Sequence, residues 1–509
     1  MLAKEKRRLK KNVALISTES NSISVEPELD GLFCNFIIFY PISLSSLVMR
    51  DTYNPGKGKN PMSKKKKSMK GVAAASLVGS ALEWFDYFLY GTAAALVFNE
   101  IMFPKGDPFV STLLAFSTLA LGFLVRPFGA IYFGQLGDKV GRKKVLVITL
   151  LLMGTATTLI GLVPTYESVG IWAPIMLVVL RLAQGFGAGA EFGGAAILTA
   201  ESAPAHRRGF YSSFPGVGVY IGLLLSAGTF AILTQLPKEI FLGWAWRIPF
   251  LFSALLVVVA LVIRMKISET EAFEKLSQTE AVSKNPLRDL IRTERKSLSI
   301  VAGAQVAQSG VSYVYQTFVI AYIVGTLHMS PSVGPIAVAV AAGVAIFTTP
   351  LFGSLSDRFG RRTIYMFGAI FSALFAFPFF WLVNTGTTLG VIIAMTLGVG
   401  IGVAAMLGTQ GAFFSEVFPS KVRFSGLALG REISASLSGG LAPLAAVLLA
   451  SMADGASWPV ACLAVGMSLI TVIAVACAKE TNKTDLTNFT ENTDKQTIKN
   501  YSGESSRLS

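Results

Sequence analysis

Twelve stretches of roughly 20 apolar residues run through this 509-residue chain, each long enough to cross a hydrocarbon layer of about 30 Å. Inside such a layer the backbone N–H and C=O groups meet no water, so only helices or a closed barrel can span it. The runs are continuous rather than alternating, which selects helices. Composition agrees: 52% of the residues are hydrophobic and 15% charged, against about 25% charged in a soluble chain. The expected helices are 72–98, 110–133, 145–164, 171–200, 211–235, 246–265, 298–326, 332–352, 363–383, 388–415, 425–450 and 456–478.

Two patterns recur at nearly one distance. G-x-L-x-D-[KR]-x-G-R-[KR] begins at Gly134 and again at Gly353, an offset of 219 residues. Glu201-x-x-Pro204-x-x-x-Arg208 returns as Glu416-x-x-Pro419-x-x-x-Arg423, an offset of 215. A shared shift means a duplicated half, hence an all-α membrane protein of two pseudo-symmetric six-helix bundles. The bundles are expected at 71–265 and 298–478, joined by a polar amphipathic linker, 266–297, whose Glu269, Glu271, Glu274 and Lys275 form a solvated face.

Charge sets the expected orientation. The net charge of +14 is concentrated in the even-numbered loops, in Lys139, Arg142, Lys143, Lys144, Arg207, Arg208, Arg358, Arg361, Arg362, Lys421 and Arg423. The odd loops carry only Lys105 and Lys238. That bias puts the even loops and both termini in the cytoplasm, and reads the basic charge as membrane topology rather than a nucleic-acid surface. Cys34, Cys462 and Cys477 lack metal or redox spacing, and His206 and His328 are far apart, so no metal site and no cofactor is expected.

The ends differ from the body. Residues 1–70 form an N-terminal extension; its apolar stretch 32–49 is either a further span or a signal-like segment. Asn35, Pro41 and several serines weaken it as a span, and the alternative expectation is a start at Met62, where four lysines lead into the first strong helix. Residues 479–509 read as a disordered tail rich in Thr, Asn, Lys and Ser.

The layout, with the glycine–aspartate pattern after the second and eighth helices, resembles the major facilitator superfamily over residues 70–480 or so. Within it the chain is similar to the metabolite:proton symporters. The matching stretches are Glu83-Trp84-Phe85-Asp86-Tyr87-Phe88, Arg126-Pro127, Arg181-Leu182-x-Gln184-Gly185 through Gly193-Gly194, and Trp246-Arg247-Ile248-Pro249-Phe250. Tyr90–Asn99 and Glu201–Ser213 look most like the shikimate-transporter group. The resemblance implies a secondary transporter, not an enzyme. It would carry a small carboxylated metabolite together with protons through the cytoplasmic membrane, as a monomer in lipid. A carrier of zwitterions such as proline or betaine is the alternative, and a non-transporting receptor on the same fold a more distant one. The helix-five antiporter signature is absent from Phe214-Pro215-Gly216-Val217-Gly218, which argues against a drug exporter.

An ionisable group inside a span costs at least about 2.5 kcal/mol, so each one asks for a partner or a role. Glu83 and Asp86 lie three apart on one helix face with Tyr87 and Tyr90. Two like charges on one face are relieved by taking up a proton, which makes both acids, with Glu191 in the fourth helix, candidates for proton coupling. The alternative is that they pair with Arg126 or Arg181 to lock packing. Arg126 and Arg181 are the candidate substrate ligands, since a guanidinium fork grips a carboxylate through two hydrogen bonds. Gln184 shares the Arg181 face, while Gly185, Gly189 and Gly193 form a stripe for close helix approach.

The second half offers neutral polarity. Gln305, Gln308, Ser312 and Gln316 repeat along the seventh helix beside Tyr313, either as a wet cavity wall or as interhelix hydrogen bonds. Arg431-Glu432 departs from the shikimate-transporter pattern and is either a private ion pair or a changed substrate contact. Asp138, Arg142, Asp357 and Arg361, in the repeated loops, are expected to gate, as the resemblance implies. Arg247, at a span end, reads as interfacial packing.

Overall fold

The computed structural model describes residues 69–104, 106–140, 142–189, 191–265, 286–419 and 422–482. The expectations for the N-terminal extension, the charged stretch 266–285 and the tail beyond 482 lie outside the described residues. What is described is helical throughout.

Among the described residues, twelve long helices fill the body. They are α1 (Met69–Ala93), α2 (Pro108–Leu124, continued by Arg126–Val140), α3 (Arg142–Ile160), α4 (Trp172–Ser202), α5 (Ala205–Leu233) and α6 (Arg247–Met265) in the first half. The second half holds α7 (Arg295–Tyr313), α8 (Val333–Phe359), α9 (Arg361–Asn384), α10 (Thr388–Val417), α11 (Arg423–Met452) and α12 (Trp458–Ala476). Among the described residues, nine helices are long and apolar enough to cross a membrane. The other three are α1, which carries Glu83 and Asp86, α7, which carries Gln305, Gln308 and Gln316, and α3, whose apolar stretch Val147–Ile160 is short. The expected linker 266–297 differs at its far end: a short helix, Pro286–Thr293, precedes α7, which starts at Arg295.

The two halves repeat one plan. α1 packs along α5, and α7 lies against α11 and α12. Between the halves, α5 meets α8 and α2 meets α11, two contacts that exchange under the pseudo-twofold relation of the halves. A π-helical turn continues α1 at Ala94–Phe98 and α7 at Val314–Phe318, and the two start 220 residues apart, one more than the offset of the glycine–aspartate motif. α1 and α7 face each other across the middle, where the Phe88 and Tyr313 rings stack with centroids 6.0 Å apart.

Local sequence explains the elements that frame the centre. Asp107 caps α2 by accepting from the Phe109 N–H at 2.8 Å, with Pro108 at the first helical position. α2 is interrupted at Val125, because Pro127 has no N–H for the Phe123 carbonyl four residues back. That carbonyl instead accepts the Ser436 hydroxyl of α11 at 2.6 Å, so a proline in one half makes a hydrogen bond to the other.

Gly185 and Gly189 of the α4 stripe lie on α2 backbone to backbone, while Gly193 faces Leu427 and Ala428 of α11. A Cβ at Gly185 would sit 2.0 Å from the Gly122 carbonyl oxygen, and one at Gly189 would sit 2.1 Å from that of Arg126. Only hydrogen side chains allow this approach, which brings the α2 segment carrying Arg126 directly against α4. Gly189→Val is therefore expected to lower stability by about 1–3 kcal/mol or more, read as a lowered melting temperature of the purified protein in detergent.

Candidate functional site

A buried charge cluster sits where α2 meets α11. Arg126 Nε lies 2.9 Å from Glu432 Oε2, and its Nη2 donates to Glu432 Oε1 at 3.4 Å. Arg431 also donates to Glu432 Oε1. All three side chains are almost fully buried. Aromatic faces carry the guanidiniums: Arg126 lies 5.0 Å from the Tyr87 ring centre and 5.5 Å from that of Phe123, and Arg431 lies 4.0 Å from that of Phe192. Beside the cluster is a small cavity lined by both arginines, by Trp84, Phe88, Phe123, Tyr220 and Tyr313, and by Gln308, Ser309, Ser312 and Gln316. Its roughly 20 Å³ holds about one water, so a metabolite requires the helices to move apart. Arg126 from the first half and Arg431 from the second thus share the cavity with neutral amides and hydroxyls of α7.

Among the described residues Asp86 forms no ion pair with Arg181. Asp86 is buried between α1, α3 and α6, where it accepts from the Ser253 hydroxyl at 2.5 Å and lies beside that of Thr157. Among the described residues no cation forms an ion pair with it. Hydroxyls can donate or accept, so they serve a carboxylate and a carboxylic acid alike. Glu83 and Asp86 line a second small cavity with Leu150, Met153, Gly154, Leu256 and Val257, and Glu83 also acts electrostatically on Arg126 and Arg431.

Arg181 lies between the Tyr87 and Tyr90 rings, 4.4 and 4.1 Å from their centres, and donates to Gln184 Oε1 at 2.5 Å. Gln184 Nε2 donates to the Thr157 hydroxyl at 2.8 Å. A polar chain thus runs Arg181–Gln184–Thr157 to the edge of Asp86. Tyr90 donates to the Thr118 hydroxyl at 2.6 Å. Of the expected substrate ligands, Arg126, Gln308, Tyr313 and Gln316 line the central cavity, whereas Arg181, Gln184, Tyr87 and Tyr90 form a buried layer behind it. Gln305 is also set back: it donates to Gln308 Oε1 at 2.5 Å and accepts from Gln410 Nε2 at 2.6 Å, holding α7 to α10. The side chain of Glu191 lies outside the described residues.

At the end bearing the basic loops, the halves are latched. Asp357 accepts from the backbone N–H groups of Gly209 and Phe210 at 2.8 and 2.9 Å and pairs with Arg361 at 2.7 Å. Glu416 takes Arg208 at 3.0 Å and Arg361 at 3.3 Å. Glu201 takes Arg423 at 2.8 Å. The duplicated Glu-x-x-Pro-x-x-x-Arg motif thus pairs crosswise, each glutamate binding the arginine of the other copy. Asp138 ends up in the continuation of α2 and Arg142 opens α3, but their side chains lie outside the described residues. Arg247 donates to the Gly161 and Val163 carbonyls at 3.0 and 2.6 Å and packs on Trp246, a packing role at a helix start.

Sequence reasoning left Glu432 and Arg431 unassigned and passed over Glu201, Arg208, Glu416, Arg423, Thr157 and Ser253 as functional groups. Reciprocal pairing of the repeated Glu and Arg was recoverable, because a twofold relation makes like surfaces meet. Thr157 and Ser253 are lone hydroxyls in apolar runs and carry no such signal.

Known proteins bear on the same arrangement. The chain matches the Major Facilitator Superfamily over residues 76–443 and 301–500. It is 36% identical to the shikimate transporter of Escherichia coli K12 over 416 residues, covering 81% of this chain and 95% of that one. It is 36% identical to the proline/betaine transporter of the same organism over 426 residues, covering 82% and 84%. Among solved structures, the proton:xylose symporter XylE bound to 6-bromo-6-deoxy-D-glucose aligns with a TM-score of 0.64 at 17% identity, covering 82% of this chain and 97% of that one, a likeness of fold alone. With two repeated six-helix halves around a buried cluster and curated metabolite carriers as relatives, this multi-pass membrane protein belongs to the Major Facilitator Superfamily and is a transporter rather than an enzyme.

Proposed function

We propose that the chain is a proton-coupled symporter that takes up a small carboxylated metabolite, of the shikimate type, across the cytoplasmic membrane. The observation that carries this reading is Arg126, a buried guanidinium at the cavity, already gripping a carboxylate and faced by neutral amide and hydroxyl groups. Such a pair of walls suits an anion that also bears hydroxyls. The shikimate-transporter relative supports the same substrate class.

Asp86 is the proton site in this reading. It is separate from the cavity, it has hydroxyl partners, and the Gln184–Thr157 chain links it to Arg181. Glu83 and Glu191 are further candidate acids for coupling. The cycle runs as alternating access between the two halves. A proton on Asp86 and a carboxylate on Arg126 favour the loaded carrier, and the basic-loop latch of Asp357, Arg361, Glu416 and Arg208 opens to release both. Lys/Arg bias supports placing that latch, and both termini, on the cytoplasmic side. The second reading, a zwitterionic osmolyte, is favoured by the aromatic wall of Trp84, Phe88 and Tyr313 and by the proline/betaine relative. Competition of labelled shikimate uptake by betaine separates the two.

Three outcomes are expected in liposomes. Asp86→Asn abolishes accumulation driven by an imposed pH gradient while sparing substrate exchange at equal pH; undiminished accumulation removes Asp86 from coupling. Arg126→Lys keeps the charge but loses the fork, raising the half-saturation concentration about tenfold, or about 1.4 kcal/mol. Asp357→Asn weakens its hold on the Gly209 and Phe210 N–H groups, so turnover changes more than substrate affinity does; the reverse split contradicts a gating role.

A further inference from the structure

Resting on the carboxylate reading above, we infer that Glu432 is a resident stand-in for the substrate's carboxylate, and that Arg431 is the place it moves to when substrate arrives. Glu432 comes from α11 and reaches across the interface to Arg126 on α2. It also touches Arg431, its neighbour in the chain, so one carboxylate stands between two guanidiniums. Both arginines line the cavity. Arg126 Nε and Glu432 Oε2 meet at 2.9 Å without an aligned hydrogen bond, and Arg431 Nε is buried with no hydrogen-bond partner among the described residues. An ion pair short of its hydrogen bonds is only partly compensated for its burial.

Charge counting selects exchange over addition. Arg126 and Arg431 carry two positive charges, and Glu432 and Glu83 face them with two acids. Neither cavity-lining cation is spare, and Arg181 lies in the layer behind the cavity, so an incoming carboxylate reaches Arg126 by displacing an acid. Glu432 is the one that leaves without being stranded, because Arg431 already touches it. The ring faces of Tyr87 and Phe123 hold Arg126 while this happens. The helix beyond Glu432 is irregular, with the π-helical segment Ala435–Gly440 starting three residues later, as is common where helices serve a site.

The swap has two consequences. It breaks the Arg126–Glu432 bridge between the halves at the moment of binding, which ties occupancy to release of α11 from α2. It also sets specificity: a neutral analogue, such as the carboxamide of the substrate, has no charge with which to displace Glu432.

The test is equilibrium binding of labelled shikimate and a panel of other monocarboxylates to the purified full-length chain, as wild type, E432Q, R431Q and the double variant. E432Q removes the competitor and is expected to tighten Kd at least tenfold. R431Q leaves Glu432 nowhere to go and is expected to weaken Kd at least tenfold. In the double variant the R431Q loss disappears, because it acts only through Glu432. An E432Q protein that binds no tighter, or an R431Q loss that is the same with and without Glu432, overturns the swap and leaves wild-type binding intact. Should E432Q not fold, R431Q decides alone, and an unchanged Kd overturns the proposal. A wild-type protein that binds no monocarboxylate overturns the swap together with the carboxylate reading on which it rests.

Discussion

Burying a charge where water cannot follow is costly unless an opposite charge and hydrogen bonds go with it. In this chain three buried arginines find their acids in the other half. Arg126 reaches Glu432, Arg208 reaches Glu416, and Arg423 reaches Glu201. Separating the halves at any of these places exposes charges to water or strands them in a low dielectric. The closed arrangement therefore rests on pairs that are stable when made and readily exchanged for water, or for a substrate anion, when broken. Apolar packing alone gives no such choice of partner, since lipid is as apolar as leucine.

Duplication explains why the pairs fall where they do. A repeated motif carrying both an acid and a base, placed about a pseudo-twofold axis, meets its copy in reciprocal fashion. Glu201 with Arg423 and Arg208 with Glu416 are two expressions of one contact. The axis tolerates departures only near the centre. Arg126, Arg181, Glu83 and Asp86 lie in the first half, while the second sets Gln305, Gln308 and Gln316 beside Arg431 and Glu432. A symmetrical scaffold thus encloses an asymmetrical cavity.

Much of this was legible in the residues. Run length and polarity marked the helices, because lipid leaves the backbone one solution, and α11, expected at 425–450, occupies Arg423–Met452. The α4 glycine stripe announced a close approach, although not which helix would use it; Gly185 and Gly189 lie on α2. The cavity was half legible. Arg126 and Gln308 stood out as polar residues in apolar surroundings, but helix periodicity says which residues share a face and not what that face meets. Arg181, Tyr90 and Gln305 lie on polar faces that turn toward neighbouring helices rather than the cavity. Glu432 was illegible as a partner of Arg126, since 306 residues separate them and only the folded interface brings them together.

Arg181 stands apart from the other buried arginines and sharpens the division of labour. Its contacts are two tyrosine rings and Gln184, and its Nε and Nη2 have no hydrogen-bond partner. Asp86, the nearest acid along the polar chain, is reached only through Gln184 and Thr157. Among the described residues, the first half therefore holds in Arg181 a cation with no carboxylate partner and in Asp86 a carboxylate with no cation, joined by neutral groups. Direct pairing would make both inert, because a tight buried ion pair resists a change in the charge of either member. In the proposed symport, keeping them apart leaves Asp86 able to gain and lose a proton while the field at Arg181, and through the tyrosines at Arg126, changes with it. The cross-half pairs hold the closed shape, and on that proposal the separated couple is what makes it responsive to protons.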